Sequence, residues 1–170
     1  VRPMPTSAEQ VAALPSYSAD EVAWPRAAGT NRIEGSAEIP GSPAVKTCAG
    51  ENVWLRPRSV LEDHRIKVIF GNLERARIPV VQYLDRASYE NANMPLPPKA
   101  YDEDARKLPC SAGGKFTAEN IPDGDYYAIV MVFPGEYLGK ITPIETIDAA
   151  MRRVTVAGGQ TVTLDILADR

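Results

Sequence analysis

The stretch GGKFTAENIPDGDYYAIVMVF, residues 113–133, decides the fold. Phe116 and Ala118 alternate with Lys115 and Thr117, the period of two that marks a strand with one buried face. Pro122 presets its backbone at the second position of a turn, and Gly124 stands at the fourth. Beyond the turn, Tyr127, Ile129, Met131 and Phe133 project to one side, and Tyr126, Ala128, Val130 and Val132 to the other. Both sets are apolar, so this strand belongs at the centre of a sheet that is covered on both faces.

Working outward, MRRVTVAGGQTVTLDIL (151–167) reads as a hairpin. Val154 and Val156 answer Val162, Leu164 and Ile166 across a Gly158-Gly159 turn, with Arg153, Thr155, Thr161, Thr163 and Asp165 facing outward. NRIEGSAEI (31–39) is a further strand, and Gly35 at its centre signals a bulge or a close neighbour. In NVWLRP (52–57), Val53 and Leu55 share one face and Asn52, Trp54 and Arg56 the other. Strand count and turn density predict a mainly β domain over 31–170, an antiparallel β-sandwich.

Two regions depart from this pattern. Residues 1–30 carry Pro3, Pro5, Pro15 and Pro25 and read as an extended arm with one helical turn, SAEQVAAL. Leu14, Tyr17 and Trp24 are its candidate anchors, against the domain or against a partner. Residues 59–109 form a partly helical insertion. Ser59, three residues before Glu62, is a capping box that opens a helix, and Gly71 can close it. A strand at RIKVIF competes with that reading. VVQYLDRASYENA is a second helical candidate, and MPLPPKAYDED is a Pro-rich excursion. Long irregular insertions in compact domains often carry interaction function.

The chain has 170 residues, 44% hydrophobic and 24% charged, with 15 prolines and a net charge of −3. That balance argues against nucleic acid, whose phosphates require clustered Lys and Arg. No apolar run approaches the ~20 residues of a membrane span. Val1 rather than Met stands first, as removal of a leader or trimming would leave it. The wide spacing of Cys48 and Cys110 excludes C-x-x-C chemistry. Each lies at the edge of a predicted strand, where a bridge could tie the two ends of the insertion, and free thiols are the alternative. A bridge would close a loop of about 60 residues, stabilise by about 4 kcal/mol and imply an oxidising compartment.

Gly-x-Phe, then NIPDGDYYAIV, then RRVTVAGGQTVTLDI together resemble the carboxypeptidase regulatory-like domain, a small sandwich of the transthyretin-like (prealbumin-like) type. The resemblance covers about residues 31–57 and 111–167. TCAGENVWLRP is similar to a bacterial secreted subgroup in which a Cys-Ala-Gly segment precedes the second strand and another Cys precedes Gly-x-Phe. It implies a Greek-key sandwich, a Cys48–Cys110 disulfide, and an accessory module without a catalytic site. Ser111 stands where an acid is more usual, which counts against a cation at that turn.

The residues themselves point the same way. His64 is the only histidine, on the predicted helix beside Glu62 and Asp63, where an exposed surface role is expected. No Gly-x-Ser-x-Gly nucleophile turn is present. Asp102, Glu103 and Asp104 lack the glycine of a calcium loop, and Asp123 and Asp125 read as turn formers. No enzyme, cofactor or metal is expected. The leading expectation is an interaction subunit in the periplasm or outside the cell, docking to an envelope or membrane assembly through Leu14, Tyr17, Trp24, Tyr83, Tyr89 and Tyr101. The alternative is a carbohydrate-binding module that stacks sugars on Trp54, Tyr83, Tyr89 or Tyr101.

Overall fold

The computed structural model describes residues 27–39, 45–93, 103–135 and 140–167. Among these residues, ten strands and two α-helices follow in the order β1 (Asn31–Ser36), β2 (Glu38–Ile39), β3 (Lys46–Thr47), β4 (Asn52–Pro57), α1 (Val60–Phe70), β5 (Arg75–Pro79), α2 (Val80–Asn93), β6 (Arg106–Pro109), β7 (Lys115–Ile121), β8 (Gly124–Pro134), β9 (Asp148–Val156) and β10 (Thr161–Asp165). A short 3₁₀ turn, Ile144–Thr146, precedes β9. The strands form two sheets, a small one in the order β10-β1-β7 and a large one built around β8. The expected β-sandwich is therefore the fold.

β8 is the strand on which everything packs. β4 and β3 pair along one of its edges and β9 along the other. Its Tyr126, Ala128, Val130 and Val132 enter the core between the sheets, together with Ile33, Leu55, Phe116 and Leu164. Its Tyr127 and Ile129 enter a second core beneath the helices, with Ile66, Ile69, Phe70 and Met151. Alternating side chains of one strand thus serve two cores, and the molecule has three layers: helices, large sheet, small sheet.

The helices form where the sequence places them. Ser59 accepts a hydrogen bond at Oγ from the Glu62 amide, and Gly71 closes α1 in the left-handed region at φ 87°. Val80, Tyr83, Ala87 and Glu90 recur at helical spacing along α2; Val80 and Glu90 are buried, and Tyr83 and Ala87 pack against the second core. β5 was not apparent in the sequence. Its Arg75 and Arg77 alternate with the small residue Ala76, so the pattern carries little hydrophobic signal, but it pairs with β9 along its whole length.

The C-terminal hairpin is corrected. β9 and β10 do not pair: β9 lies between β8 and β5 in the large sheet, while β10 lies beside β1, and parallel to it, in the small sheet. Val154, Val156 and Leu164 do meet, but across the sandwich core rather than along a ladder. The link between β7 and β8 behaves likewise, since β7 pairs with β1 and β8 does not pair with β7. Both turns are arches from one sheet to the other.

A single buried side chain holds these arches. Asn31, at the start of β1, donates from Nδ2 to the Ile121 carbonyl (2.9 Å) and to Asp123 Oδ1 (2.8 Å). Its Oδ1 accepts from the Gly159 and Gln160 amides at 2.9 and 3.1 Å. Asp123 also accepts from the Gly158 amide, and Tyr126 donates its hydroxyl to the Pro122 carbonyl at 2.9 Å. Gly35 has the packing role its position suggests: a Cβ there would lie 2.0 Å from the Phe116 ring, so the ring fills the space a side chain would take.

Cys48 and Cys110 are joined in a disulfide, Cα–Cα 5.8 Å, and both are buried. The Cys110 amide donates to the Glu51 carbonyl beside it. The bridge therefore joins the chain just before β4 to the chain just after β6, at the base of the insertion.

Two outcomes follow for stability. Replacing both cysteines by alanine is expected to lower unfolding free energy by about 4 kcal/mol in urea titrations, without change of fold by circular dichroism. Asn31→Ala leaves the backbone groups of both arches without their partner and is expected to cost about 2–4 kcal/mol. A loss below half a kcal/mol would show that the arches hold without it.

Candidate functional site

The insertion returns to the domain surface as a layer. α1 and α2 lie on the large sheet, and Trp54, Tyr83, Leu73 and Ile78 pack at the margins of the core beneath them. Tyr83 faces inward, its ring 5.7 Å from Phe70, and burial raises its pKa above the ordinary tyrosine value. Tyr89, on the same helix, is half-buried. Leu14, Tyr17, Trp24 and Tyr101 lie outside the described residues. Among its described side chains α2 exposes the large apolar residues Val81 and Leu84, 51% and 46% accessible, neither of them an aromatic anchor. Helical spacing could have found them, because Val81 and Leu84 lie three residues apart and widen the apolar face beyond the Val80, Tyr83, Ala87 and Glu90 stripe.

His64 is not a plain surface histidine. Its Nε2 lies 3.2 Å from Oε2 of Glu90, and the Glu90 side chain is fully buried. The pair links α1 to α2. A carboxyl group at that depth requires such partners, since a buried polar group is costly unless it is hydrogen-bonded.

A cleft of about 440 Å³ opens where α1 starts, lined by Arg58, Ser59, Val60, Asp63, Asp123, Gly124 and Asp125. It holds both acids and bases, and they are engaged with one another. Arg58 Nε donates to Asp63 (2.9 Å), and Nη1 lies 3.5 Å from Asp125. Arg153 donates to Asp125 at 3.0 Å and to Glu74 at 3.2 Å. Thr155 donates its hydroxyl to Asp125, and Tyr127 donates to Asp63. The Thr155 hydrogen bond, followed by Arg153 and Arg58, holds the Asp125 carboxyl below the usual aspartate range. Burial, reinforced by the bond to Asp63, pushes Tyr127 far above an ordinary tyrosine. Such a network fastens α1 to β8 and β9 through paired, hydrogen-bonded side chains.

Trp54, on β4, is the aromatic of the opposite flank. It is half-buried, with Lys107 Nζ 4.8 Å and the Arg56 guanidinium 5.5 Å from the ring centroid. A second cleft, about 470 Å³, lies at the disulfide end of the sandwich. Phe133, Val45 and Pro134 supply its apolar lining, and Thr47, Thr142, Glu51 and Lys140 its polar groups. No group of three or more metal-ligating side chains occurs among the described residues, and no helix among them is long and apolar enough to cross a membrane.

No protein-family model matches the chain, and no curated protein matches it. Among solved structures it is similar to one from Pseudomonas aeruginosa described as a "putative carbohydrate binding protein". The TM-score is 0.58 at 24% identity, over 89% of this chain and 99% of that one. At that identity the likeness establishes a shared fold.

The Asp125 network gives a pH signature. A depressed carboxyl pKa contributes stability that is full above the unfolded-state value, about 3.9, and is lost as pH falls through the lower folded value. Asp125→Asn is expected to destabilise by about 1–3 kcal/mol at pH 7. Its deficit relative to wild type should shrink as the medium is acidified below about pH 4. A deficit that stays constant in thermal melts between pH 7 and pH 3 would contradict this assignment.

Proposed function

We propose that this chain is a non-catalytic interaction subunit on the extracytoplasmic side, a sandwich of the carboxypeptidase regulatory-like kind that docks to a larger envelope assembly through residues 59–109. The observation that carries this reading is the outer face of α2. Its inner stripe packs against the second core, yet Val81 and Leu84 stand exposed one turn apart along the flank of that stripe. Val60, at the start of α1, is 58% accessible. Apolar residues grouped on the outer side of an already packed layer suit a protein partner. The mutual neutralisation of Arg58, Asp63, Asp125 and Arg153 supports holding a shape over performing a reaction. The disulfide supports an oxidising compartment.

A second reading, a carbohydrate-binding module, draws on the Phe133 cleft, where an aromatic ring, two threonines, a lysine and a glutamate share one opening. The description of the Pseudomonas structure favours it as well. On this reading the sugar sits at Phe133 rather than on Tyr83, whose ring is turned into the core.

The two separate by experiment. The doubly substituted chain Val81→Lys/Leu84→Lys, tagged and expressed in its own cells, is expected to leave the high-mass fraction of a mild detergent extract on native gels and migrate as free protein. Both sites are exposed, so thermal stability should be unchanged. Unaltered migration with the assembly would refute docking through α2. Saccharide binding on a glycan array, abolished by Phe133→Ala, would establish the second reading in its place.

A further inference from the structure

The second helix carries two stripes. Val80, Tyr83, Ala87 and Glu90 form the inner one. Val81, Leu84, Asp85 and Ser88 recur at i, i+3, i+4 and i+7, and all four are exposed. Side chains at that spacing share one flank of a helix. Arg86 and Glu90 reach the other flank: Arg86 Nη1 donates to the Ile69 carbonyl at 2.6 Å, and Glu90 meets His64 of α1. The Val81 stripe therefore looks away from α1, along the side of the layer that α1 leaves open.

The segment before β9 meets α2 at its start. The Val80 amide donates to the Ile147 carbonyl at 2.9 Å, and the 3₁₀ turn Ile144–Thr146 lies against the helix. The Ile147 amide closes that turn on the Ile144 carbonyl, and the Thr146 hydroxyl donates to the Pro143 carbonyl at 2.6 Å. Ile144 is nevertheless 49% accessible, and Ile141, three residues earlier, 95%. Four of the six large apolar side chains exposed among the described residues thus belong to α2 and this segment. Single exposed apolar residues are ordinary, but a group on two packed elements marks an interaction surface.

The charges beside this group have one sign. Asp85 stands one turn beyond Val81, and Glu145 adjoins Ile144; both are exposed. Among the described residues neither meets a cation. Acids on other faces do: Glu34 and Glu119 meet Arg32, Glu74 and Asp125 meet Arg153, and Asp148 meets Lys46. The cation of this segment, Lys140, lines the Phe133 cleft instead. An apolar patch with an acidic rim complements a ligand that is both apolar and basic. A second copy laid on the same stripe, or an anionic bilayer, would bring negative charge against that rim.

We propose that the Val81–Leu84 stripe and Ile144 receive an amphipathic helix of a partner protein. Its apolar side chains rest on Leu84 and Ile144, and its Lys or Arg side chains lie over Asp85 and Glu145. A helix suits the site because side chains spaced three and four apart leave grooves that fit the ridges of another helix. A strand does not, since the backbone of α2 is spent on its own hydrogen bonds. Apolar contact supplies affinity, and the acids fix the orientation. This rests on the docking reading and adds the partner's chemistry.

The probe is a labelled peptide of about 18 residues, long enough to hold a helix, with Leu at i, i+3, i+4 and i+7 and Lys beside them. The control peptide has Glu in place of every Lys. Both are titrated into the full chain by fluorescence anisotropy and mapped by NMR. Expected are binding of the Lys peptide, weakening with salt, and shifts at Val81, Leu84, Asp85 and the 144–146 turn. Asp85→Lys/Glu145→Lys should weaken binding at least about fivefold, as two exposed pairs become repulsions. It should also transfer the preference to the Glu peptide. Leu84→Ser/Ile144→Ser, at exposed sites, should weaken binding comparably and leave the thermal midpoint unchanged.

No binding at millimolar peptide, or equal binding of the two peptides, would overturn the proposal. Capture of phosphatidylglycerol vesicles that the Leu84→Ser/Ile144→Ser chain loses would make the occupant a lipid surface. Dimerisation in sedimentation that this variant loses would make it a second copy. On native gels of cell extracts, Asp85→Lys/Glu145→Lys is expected to leave the high-mass fraction as Val81→Lys/Leu84→Lys does. If only the latter leaves it, docking through α2 stands and the basic partner falls. If Val81→Lys/Leu84→Lys stays, the docking reading itself falls, so the two failures are distinguishable.

Discussion

The two-sheet arrangement hangs on the Asn31 side chain. A sandwich needs its chain to leave one sheet and enter the other, and here that happens twice at the same end, at 121–124 and at 157–160. Neither arch can satisfy its own backbone by a hairpin ladder. A primary amide offers two donors and an acceptor with two lone pairs, and at Asn31 all four are matched to the two arches. An isosteric leucine would bury the same volume and satisfy none of them. Aspartate would turn two donors into acceptors beside Asp123. The position therefore accepts little else, and the relative placement of β1, β8 and β10 depends on it.

From that frame the exposed faces of the helical layer follow by packing. β8 divides its side chains between two cores, which allows a helical layer to be added to a sandwich without exposing the sheet beneath. Because α1 and α2 need only one face each to cover it, their outer faces are released from structural duty. The Arg58–Asp63–Asp125–Arg153 network secures the start of that layer, and the disulfide secures its base. Rigid mounting of the layer suits the docking proposed for it, since little ordering is then left to oppose association.

Much of this could be read from the residues. The two-sided apolar alternation of 125–133 located the central strand, and Ser59 with Gly71 located α1, because caps and periodicity are local physics. The position of the cysteines flanking the insertion suggested their bridge. What could not be read was decided by distant contacts. A Gly-Gly turn between two alternating strands is the same sequence whether the strands pair side by side or face each other across a core, and only Asn31, 128 residues away from Gly159, decides. β5 was hidden because Arg75 and Arg77 occupy a face that the small sheet does not cover, so no apolar period betrays it. The engagement of Asp125 was equally hidden, since its partners come from separate segments, at Arg58, Arg153 and Thr155.

The parallel pairing of β1 with β10 has a consequence for how the molecule comes into being. Arg32 is in register with Thr161, so the first and last described strands are neighbours. Everything between them must be threaded before that contact can form, and pairings of such sequence separation are slow to reach. A chain emerging amino end first can assemble β4, the helices and part of the large sheet, but β1 lacks its β10 neighbour until residues 161–165 are available. The small sheet is thus a late step of folding, closed only when β10 reaches the edge of β1.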